Sequence, residues 1–385
     1  MIIVYVYPNF TTTAGTERVL IDKMNYLAER DGVDVVLITL EQGVFPMSFL
    51  LSRKVKHFDL DVRFYKIYHK NIVIRQFKKV VLMRLFQRRF NELMNEIRPD
   101  IVIATTYDSR VLSVIDNCKV NYKRVVESHI GKEFLHQNDP SNKLNIFRWL
   151  NAYMGMKKVE HFVKRSDALV ALNQVDACDW RCYVDTTVIA NVVHLNPLGR
   201  YSNQSNNRVV FVGRFSKQKG INDLFRIWKL VNQQHPDWHL DLFGDGEMHS
   251  YVCSEANRLN MNIHVHESNN NIYEQYINSS ILVLTSVYEP FGLVIPEAMS
   301  CGLPVVSFDC PYGPADIITD GIDGFLVKNR NIEDFASRIC SLIENRYLRV
   351  QMGQAAIMSS SRYRPEIIIP QWESLFEKLI SAKDM

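Results

Sequence analysis

The feature that most constrains the fold is a repeated alternation between short, continuous apolar runs and stretches with helical spacing. In the first half of the chain the runs lie at residues 2–7, 34–40, 100–105, 123–127, 168–172 and 188–190. Most of the runs are continuous rather than alternating, as expected for strands of a parallel sheet that helices cover on both faces. The pattern predicts a doubly wound α/β domain.

A second set of runs predicts a second domain of the same kind. The runs lie at residues 209–212, 239–243, 263–265, 281–284 and 305–308. At 385 residues and 47% hydrophobic content, the chain is long enough for two cores. We predict one Rossmann-like domain at 1–195, a polar linker at 196–207, a second Rossmann-like domain at 208–364 and a C-terminal helix at 365–385. In that helix Trp372, Leu375, Phe376 and Leu379 recur at helical spacing.

Composition argues against several classes of protein. A net charge of +3 is too small to indicate a nucleic-acid-binding protein. The seven cysteines are odd in number and include no C-x-x-C, which argues against a disulfide framework or zinc site and predicts a reducing, cytoplasmic compartment. Residues 2–7 lack a basic leader and stop at Pro8, so we interpret them as a strand rather than a signal peptide. No apolar run approaches the roughly 20 residues of a spanning helix.

Residues 285–306, T-S-V-Y-E-P-F-G-L-V-I-P-E-A-M-S-C-G-L-P-V-V, are the most informative stretch. They follow the predicted strand 281–284 as a tight loop that opens a short helix. The backbone N–H groups of Phe291, Gly292 and Leu293 would lie at the helix start without intrahelical acceptors, which favours an anion such as a phosphate.

Two glutamates bracket this loop. Glu297 lies one to two turns into the predicted helix, where it is placed to accept hydrogen bonds from sugar hydroxyls. Two carboxylates eight positions apart are not specific in themselves. An ordinary alternative is that Glu289 caps the helix and Glu297 is solvated.

Two further loops follow strands, where open α/β sheets bind ligands. Arg214 and Lys219 lie on one connection that can curl over a diphosphate, although a solvated basic loop is the alternative. The position after a strand, on the same sheet edge as Glu289, favours the diphosphate. Gly15 begins a helix after the first strand and would let a backbone approach a ligand. Neither G-x-G-x-x-G nor the Walker pattern is present there, so taken on its own the loop is better interpreted as a plain turn than as a binding loop.

The string Glu-Pro-Phe-Gly-Leu-Val-x-Pro-Glu-Ala-Met-x-x-Gly-x-Pro-Val-Val, at residues 289–306, resembles the donor-binding signature of retaining glycosyltransferases of family 4. Gly213-Arg214 with Lys219-Gly220 resembles that family's G-R-x-x-x-x-K-G diphosphate loop. Gly244-Asp245-Gly246 is similar to its G-x-G turn. The resemblance implies the GT-B fold, in which two Rossmann-like domains face a central cleft and a C-terminal helix crosses back to the N-terminal domain.

The resemblance also implies roles for individual residues. Arg214 and Lys219 would hold the donor pyrophosphate, and the amides of Phe291, Gly292 and Leu293 would contact the phosphates. Glu297 would bind the ribose, and Glu289 would lie near the transferred sugar. His129 matches the family's histidine that approaches the sugar from the N-terminal domain. A histidine at a strand end is otherwise more often a satisfied surface or core residue.

The resemblance implies a substrate class. Many family members carry two glycines in the first loop, whereas this chain has Ala14 and Gly15. Residues 309–316, D-C-P-Y-G-P-A-D, are similar to members that build bacterial surface polysaccharides from UDP-hexoses or UDP-N-acetylhexosamines. The expected reaction is retaining transfer of such a sugar to a hydroxyl of a glycan or lipid-linked glycan. A nucleotide-sugar epimerase and a non-catalytic nucleotide-sugar binding protein remain alternatives.

No cofactor and no metal are expected. Arg214, Lys219 and the helix start near Phe291 would stabilise the leaving diphosphate with fixed charges and dipoles. Asp59-Leu60-Asp61 has the spacing of a metal-binding D-x-D, but such tripeptides are common by chance and this one lies outside the proposed site.

A basic segment at residues 63–90 bears on whether the protein binds a membrane surface. It has nine lysines and arginines, no carboxylate, and apolar residues between the charges. Such a helix can lie on an anionic membrane surface, which would suit a lipid-linked acceptor. A helix packed on the N-terminal sheet with a solvated basic face is the alternative.

Overall fold

The computed structural model describes residues 1–136, 146–267, 271–328 and 330–381. The chain divides into two compact units, one made of residues 1–192 and 368–385 and the other of residues 193–367. Each unit is built on one all-parallel sheet, which confirms the predicted fold class of two Rossmann-like α/β domains. None of the helices in these ranges is long and apolar enough to cross a membrane.

The first domain has a seven-stranded sheet in the order β3-β2-β1-β4-β5-β6-β7. Its strands are β1 Ile2–Tyr7, β2 Asp34–Thr39, β3 Lys56–Asp59, β4 Ile101–Thr105, β5 Lys123–Ser128, β6 Ala168–Ala171 and β7 Thr186–Val188. Its helices along this part of the chain are α1 Gly15–Leu27, α2 Ile72–Ile97, α3 Ser109–Asp116, α4 Ile146–Val163 and α5 Gln174–Trp180.

The second domain has a six-stranded sheet in the order β10-β9-β8-β11-β12-β13. Its strands are β8 Arg208–Val212, β9 His239–Phe243, β10 Ile263–His266, β11 Ile281–Leu284, β12 Val305–Asp309 and β13 Gly324–Lys328. Its helices are α6 Ile221–Gln234, α7 His249–Leu259, α8 Ile272–Ile277, α9 Val294–Ser300, α10 Pro314–Ile317, α11 Ile332–Glu344 and α12 Arg346–Ser360.

Burial on both faces explains the continuous apolar runs. In β1, Val4 and Val6 belong to one hydrophobic cluster, whereas Ile3 and Tyr5 belong to another. Successive side chains of a strand point to opposite faces, so the two clusters lie on opposite sides of the sheet. Helices therefore cover both faces, and neither face of β1 tolerates a polar pattern.

Two strands escaped the sequence analysis, and one was misplaced. β3 reads K-H-F-D, lies at the sheet edge and is largely exposed, so it lacks an apolar run. β13 begins at Gly324, and glycine weakens a strand pattern in the sequence. The structure needs glycine there, because a Cβ would lie 2.4 Å from the carbonyl oxygen of Val305. The strand predicted at 188–190 instead spans Thr186–Val188.

The segment predicted as a linker, residues 196–207, is bound to the second domain. The amide of Asn196 donates to Oγ of Ser300 at 3.1 Å, and the amide of Ser202 donates to the carbonyl of Cys301 at 2.9 Å. Arg349 donates to the carbonyl of Gln204 at 2.9 Å. The chain leaves the first domain at 192 rather than 195 and returns to it at 368 rather than 365.

The C-terminal helix α13, Pro365–Ser381, packs on the first domain, as the resemblance implied. Trp372 and Phe376 are at most 2% exposed and join the cluster that contains Ile3 and Tyr5 of β1. The helical spacing predicted from the sequence is therefore the spacing of a face that covers the first sheet. Residues 382–385 of the predicted helix lie outside the described residues.

We predict that Phe376→Ala lowers the free energy of unfolding of the first domain by about 3–5 kcal/mol, because it removes a fully buried ring and leaves a cavity. Chemical denaturation monitored by circular dichroism measures the change. Lys378→Ala is the matched control: its ion pair with Asp185 is exposed (67% and 62%), so its loss should cost less than about 1 kcal/mol. Equal effects of the two variants would show that α13 does not stabilise the domain.

Candidate functional site

The second sheet places two of the predicted loops side by side. From β8 the chain builds the sheet outwards through β9 and β10, then returns to β11 on the other side of β8 and continues through β12 and β13. The strand order thus reverses between β8 and β11, and ligands of such sheets bind outside the carboxyl ends of the strands at this point. The loops at 213–220 and 285–293 leave the sheet there.

The two loops are joined by close backbone contact. Gly220 has φ +65°, and a Cβ on it would lie 1.9 Å from the carbonyl oxygen of Thr285. The Thr285 hydroxyl donates to the carbonyl of Lys219 at 3.0 Å, and the amide of Val287 donates to the carbonyl of Gln218 at 2.7 Å. Only glycine at position 220 permits this approach.

Lys219 and Glu289 form an ion pair across these loops. Nζ of Lys219 lies 2.5 Å from Oε2 of Glu289, and Oγ of Ser286 donates to the same oxygen at 3.0 Å. Both charged side chains are largely buried. The sequence analysis gave the two residues separate ligands, whereas the structure pairs them. The ammonium group has three donors, so one bond to Glu289 leaves donors for a phosphate.

Arg214 is exposed, and its guanidinium makes no ion pair or hydrogen bond with the residues that the structure describes. The Gly244-Asp245-Gly246 turn lies directly against its loop, because the amide of Phe215 donates to the carbonyl of Asp245 at 2.8 Å. A Cβ on Gly244 would lie 2.0 Å from the carbonyl oxygen of Gly213. The glycine of the G-x-G turn therefore lets the turn pack against the Arg214 loop.

The backbone of Glu289 is held by the segment after β12. The amide of Glu289 donates to the carbonyl of Pro311 at 3.2 Å, and the amide of Gly313 donates to the carbonyl of Glu289 at 2.7 Å. A Cβ on Gly313 would lie 2.3 Å from the carbonyl oxygen of Phe291. Tyr312, which lies between Pro311 and Gly313 in the sequence, has φ +82°. This backbone conformation is unusual for a bulky residue and costs free energy. Strain of this kind persists only where surrounding contacts fix the backbone.

Glu297 lies on α9 and is 4% exposed, so the alternative of a solvated Glu297 is wrong. The hydroxyl of Tyr276 donates to its Oε2 at 3.3 Å. Burial, followed by the nearby Glu297, raises the pKa of Tyr276 well above its ordinary value, so the phenol stays a donor. Phe291, Gly292 and Leu293 directly precede α9, and the amide of Ile295 donates to the carbonyl of Gly292 at 2.9 Å.

Some of these contact residues were missed from sequence. Ser286 and Thr285 directly follow β11 and lie close to Glu289 in the sequence. Their hydroxyl groups in a loop after a strand were the signal that could have identified them. Tyr276 lies on the separate helix α8, and nothing in its local sequence distinguishes it from a core tyrosine.

In the first domain His129 directly follows β5 and is buried. Its Nε2 lies 2.9 Å from Oε2 of Glu127, and the same oxygen lies 2.5 Å from Nζ of Lys23. Sequence analysis singled out neither Glu127 nor Lys23. Gly15, the other predicted residue of this domain, is the exposed first residue of α1.

One cluster in the second domain has the composition of a metal site. Ligand atoms of His239, Asp241 and His264 lie within 4.8 Å of one another. The buried carboxylate of Asp241 is already paired with Arg208 and accepts from Nε2 of His266 at 2.7 Å. Arg208 of β8 therefore neutralises this carboxylate, and histidines of β9 and β10 surround it.

The D-x-D tripeptide is also accounted for by local contacts. The carboxylate of Asp59 accepts hydrogen bonds from the amides of Gln42 at 3.1 Å and Gly43 at 2.9 Å. Asp61 forms an ion pair with Arg63. Asp59 therefore fixes the backbone of the loop after β2, and Asp61 is engaged in a local side-chain ion pair.

Comparison with known proteins agrees with this arrangement. Residues 200–358 match the family model described as Glycosyl transferases group 1. The chain is 27% identical over 372 residues to an uncharacterized glycosyltransferase of Haemophilus influenzae, covering 95% of this chain and 97% of the relative. It is 34% identical over 187 residues to the amylovoran biosynthesis glycosyltransferase AmsD of Erwinia amylovora, covering 47% of this chain and 52% of that protein.

Among solved structures, the chain is similar to a mutant of S. aureus TarM in complex with fondaparinux, alpha-GlcNAc-glycerol and UDP. The TM-score is 0.77 at 16% identity, and the match covers 97% of this chain and 99% of that chain. At this identity the likeness shows the fold, which is GT-B. The fold and the group 1 match, which spans every loop described in the second domain, together support a glycosyltransferase.

We predict that Gly220→Ala destabilises the second domain more than Gly321→Ala. Both glycines have positive φ, +65° and +75°, so each alanine costs about 1–2 kcal/mol in backbone strain. Only at 220 does the new Cβ meet a backbone atom, whereas at 321 nothing lies within 4 Å. Denaturant titration of both variants measures the difference. Equal losses would mean that the contact between the loops is not required.

Proposed function

We propose that this protein is a retaining glycosyltransferase of family 4 that transfers a hexose or N-acetylhexosamine from a UDP-sugar. The acceptor is a hydroxyl of a glycan or lipid-linked glycan in surface-polysaccharide synthesis. The observation that carries the proposal is the ion pair between Lys219 and Glu289 at the reversal point of the second sheet, with Arg214 on the same loop as Lys219. These residues also stand in the pattern G-R-x-x-x-x-K-G followed by E-P-F-G.

The charges fit a departing diphosphate. Cleavage of the bond between the anomeric carbon and the nucleoside diphosphate develops positive charge on the sugar and negative charge on the leaving oxygen. Arg214 has no partner among the described residues and can bind two phosphate oxygens, while Lys219 on the same loop supplies a point charge. The amides of residues 291–293 add fixed dipoles. We propose that these groups stabilise the leaving diphosphate without a metal.

Glu289 and Glu297 have different proposed ligands. Glu289 keeps Lys219 in place through its 2.5 Å ion pair and contacts the transferred sugar. Glu297 binds the ribose, and the hydroxyl of Tyr276 orients its carboxylate. In the first domain, His129 contacts the transferred sugar, and Gly15 allows close approach of the backbone to a ligand. Since Glu289 is already bound to Lys219 and Ser286, we assign no carboxylate as a covalent nucleophile.

The names of similar proteins support the substrate class. TarM was solved with UDP and alpha-GlcNAc-glycerol, and AmsD is an amylovoran biosynthesis glycosyltransferase. The name of AmsD favours sugar transfer over epimerisation or simple binding. An epimerase would turn over the nucleotide-sugar without an acceptor, which separates the alternatives in a single assay.

We further propose that α2 binds an anionic membrane surface. The second half of this helix packs into the first domain through Phe86 and Phe90, which are fully buried. The first half exposes apolar side chains among basic residues: Val73 is 75% exposed and Phe77 is 71% exposed. Apolar and basic side chains on one exposed segment are typical of an interfacial helix rather than of a fully packed one.

We predict that Arg214→Ala and Lys219→Ala each weaken UDP binding roughly ten- to a hundredfold and abolish measurable sugar transfer. The reason is that each removes a charged hydrogen-bond donor worth about 1.5–3 kcal/mol. Glu297→Ala should weaken UDP but not free pyrophosphate, because its ligand is the ribose. Calorimetric titration and a transfer assay measure the changes.

Lys217→Ala is the matched control, since Lys217 is an exposed lysine of the same loop with no assigned ligand. Its UDP affinity should equal that of the wild type. Wild-type turnover in the Arg214→Ala variant would overturn the assignment of this loop.

For the membrane, we predict that Phe77→Ser combined with Lys78→Glu and Lys79→Glu removes binding to anionic liposomes at low salt, because it deletes an apolar anchor and reverses two charges. Co-sedimentation measures the bound fraction. Lys119→Glu combined with Lys229→Glu changes two exposed lysines elsewhere and should bind nearly as the wild type does. Arg89 is left unchanged, because it donates to the carbonyl of Leu60. Absence of wild-type binding would contradict the proposal.

A further inference from the structure

The first domain buries an ion pair that the proposed chemistry does not use. The side chains of Lys23 on α1 and Glu127 on β5 are each 3% exposed, and their charged atoms lie 2.5 Å apart. Taking both charges out of water costs free energy that their attraction recovers only in part. Apolar residues can often replace such a pair without loss of stability. Stability alone is therefore a weak reason for this pair.

The same carboxylate oxygen also contacts His129. Nε2 of His129 lies 2.9 Å from Oε2 of Glu127, and this side chain too is 3% exposed. An ionised carboxylate can only accept hydrogen bonds, so Nε2 carries the proton and donates it. Nδ1 makes no hydrogen bond with any residue in the described part of the domain. It is the ring nitrogen left for a ligand.

Lys23 keeps Glu127 charged, and the C-terminal helix covers Lys23. Burial by itself would raise the pKa of Glu127, but Lys23 and His129 hold that pKa below its ordinary value. Burial lowers the pKa of Lys23, and Glu127 opposes that shift. Nζ of Lys23 lies 3.8 Å from the ring centroid of Trp372 on α13 and 5.4 Å from that of Tyr5. These aromatic faces partly replace water around the ammonium.

We propose that Lys23 and Glu127 are positioning residues that fix His129 in the tautomer protonated at Nε2. Nδ1 then accepts a hydrogen bond from a hydroxyl of the transferred sugar. The inference rests on the proposed function, in which His129 contacts that sugar, and it adds which ring nitrogen does so and what holds it. The ligand group at this nitrogen is a neutral hydroxyl donor, not a phosphate.

Nitrogen-15 NMR of the full chain labelled at histidine tests the tautomer, with the His129 signals assigned by comparison with His129→Gln. The wild type should show His129 protonated at Nε2 and bare at Nδ1. Lys23→Met combined with Glu127→Met removes both charges at similar volume, so His129 should lose this preference. A wild-type ring bare at Nε2, or an unchanged tautomer in the double variant, overturns the inference. The wild-type spectrum decides the matter even where the double variant does not fold.

Kinetics separate positioning from a merely structural role. In the double variant kcat should fall at least about tenfold, because His129 would no longer be oriented in the transition state. The thermal unfolding midpoint should stay near that of the wild type. Added to His129→Gln, the two substitutions should cause no further loss, because they act through His129. Wild-type kcat in the double variant, or an equal further loss in the His129→Gln background, contradicts the inference. Absence of transfer by the wild type would refute the proposed function, but the tautomer measurement would still decide this inference.

Discussion

The ion pair between Lys219 and Glu289 organises the second domain's candidate site. It joins the loop after β8 to the loop after β11 on the two sides of the point where the strand order reverses. A glycine at 220 allows the loops to touch, and Ser286 holds the carboxylate from a second direction. Because the ion pair already fixes the lysine, less side-chain entropy would be lost on binding the proposed diphosphate.

The first domain uses a buried charge in a different way. There Glu127 accepts from Lys23 and His129 at one oxygen, and Trp372 of the C-terminal helix lies over the ammonium. The chain end therefore does more than cover an apolar face of the first sheet. It also excludes water from the group that orients the histidine. In both domains a carboxylate positions a cationic or imidazole side chain next to a strand end.

Local sequence was sufficient for strands such as β4 and β11, which are buried on both faces and apolar at almost every position. It failed for β3, whose edge position permits the polar residues K-H-F-D. Arg214, Gly220 and Glu289 were singled out because they stand in short strings of particular residue types that resemble the motifs of a known family. The pairing of Lys219 with Glu289 was missed because the two residues are 70 positions apart. Lys23 and Glu127 resemble ordinary helix and strand residues until the fold brings them together.

The central claim is that the second domain binds a nucleoside diphosphate through protein charges and amides alone. Thermal unfolding of the wild type with a panel of UDP-, GDP- and ADP-sugars in the presence of EDTA tests it most directly. A ligand at a hundred times its Kd stabilises the folded state by about 2.7 kcal/mol, which is easily measured. The account predicts that a UDP-sugar raises the unfolding midpoint in EDTA. Stabilisation that appears only when a divalent cation is added would contradict it.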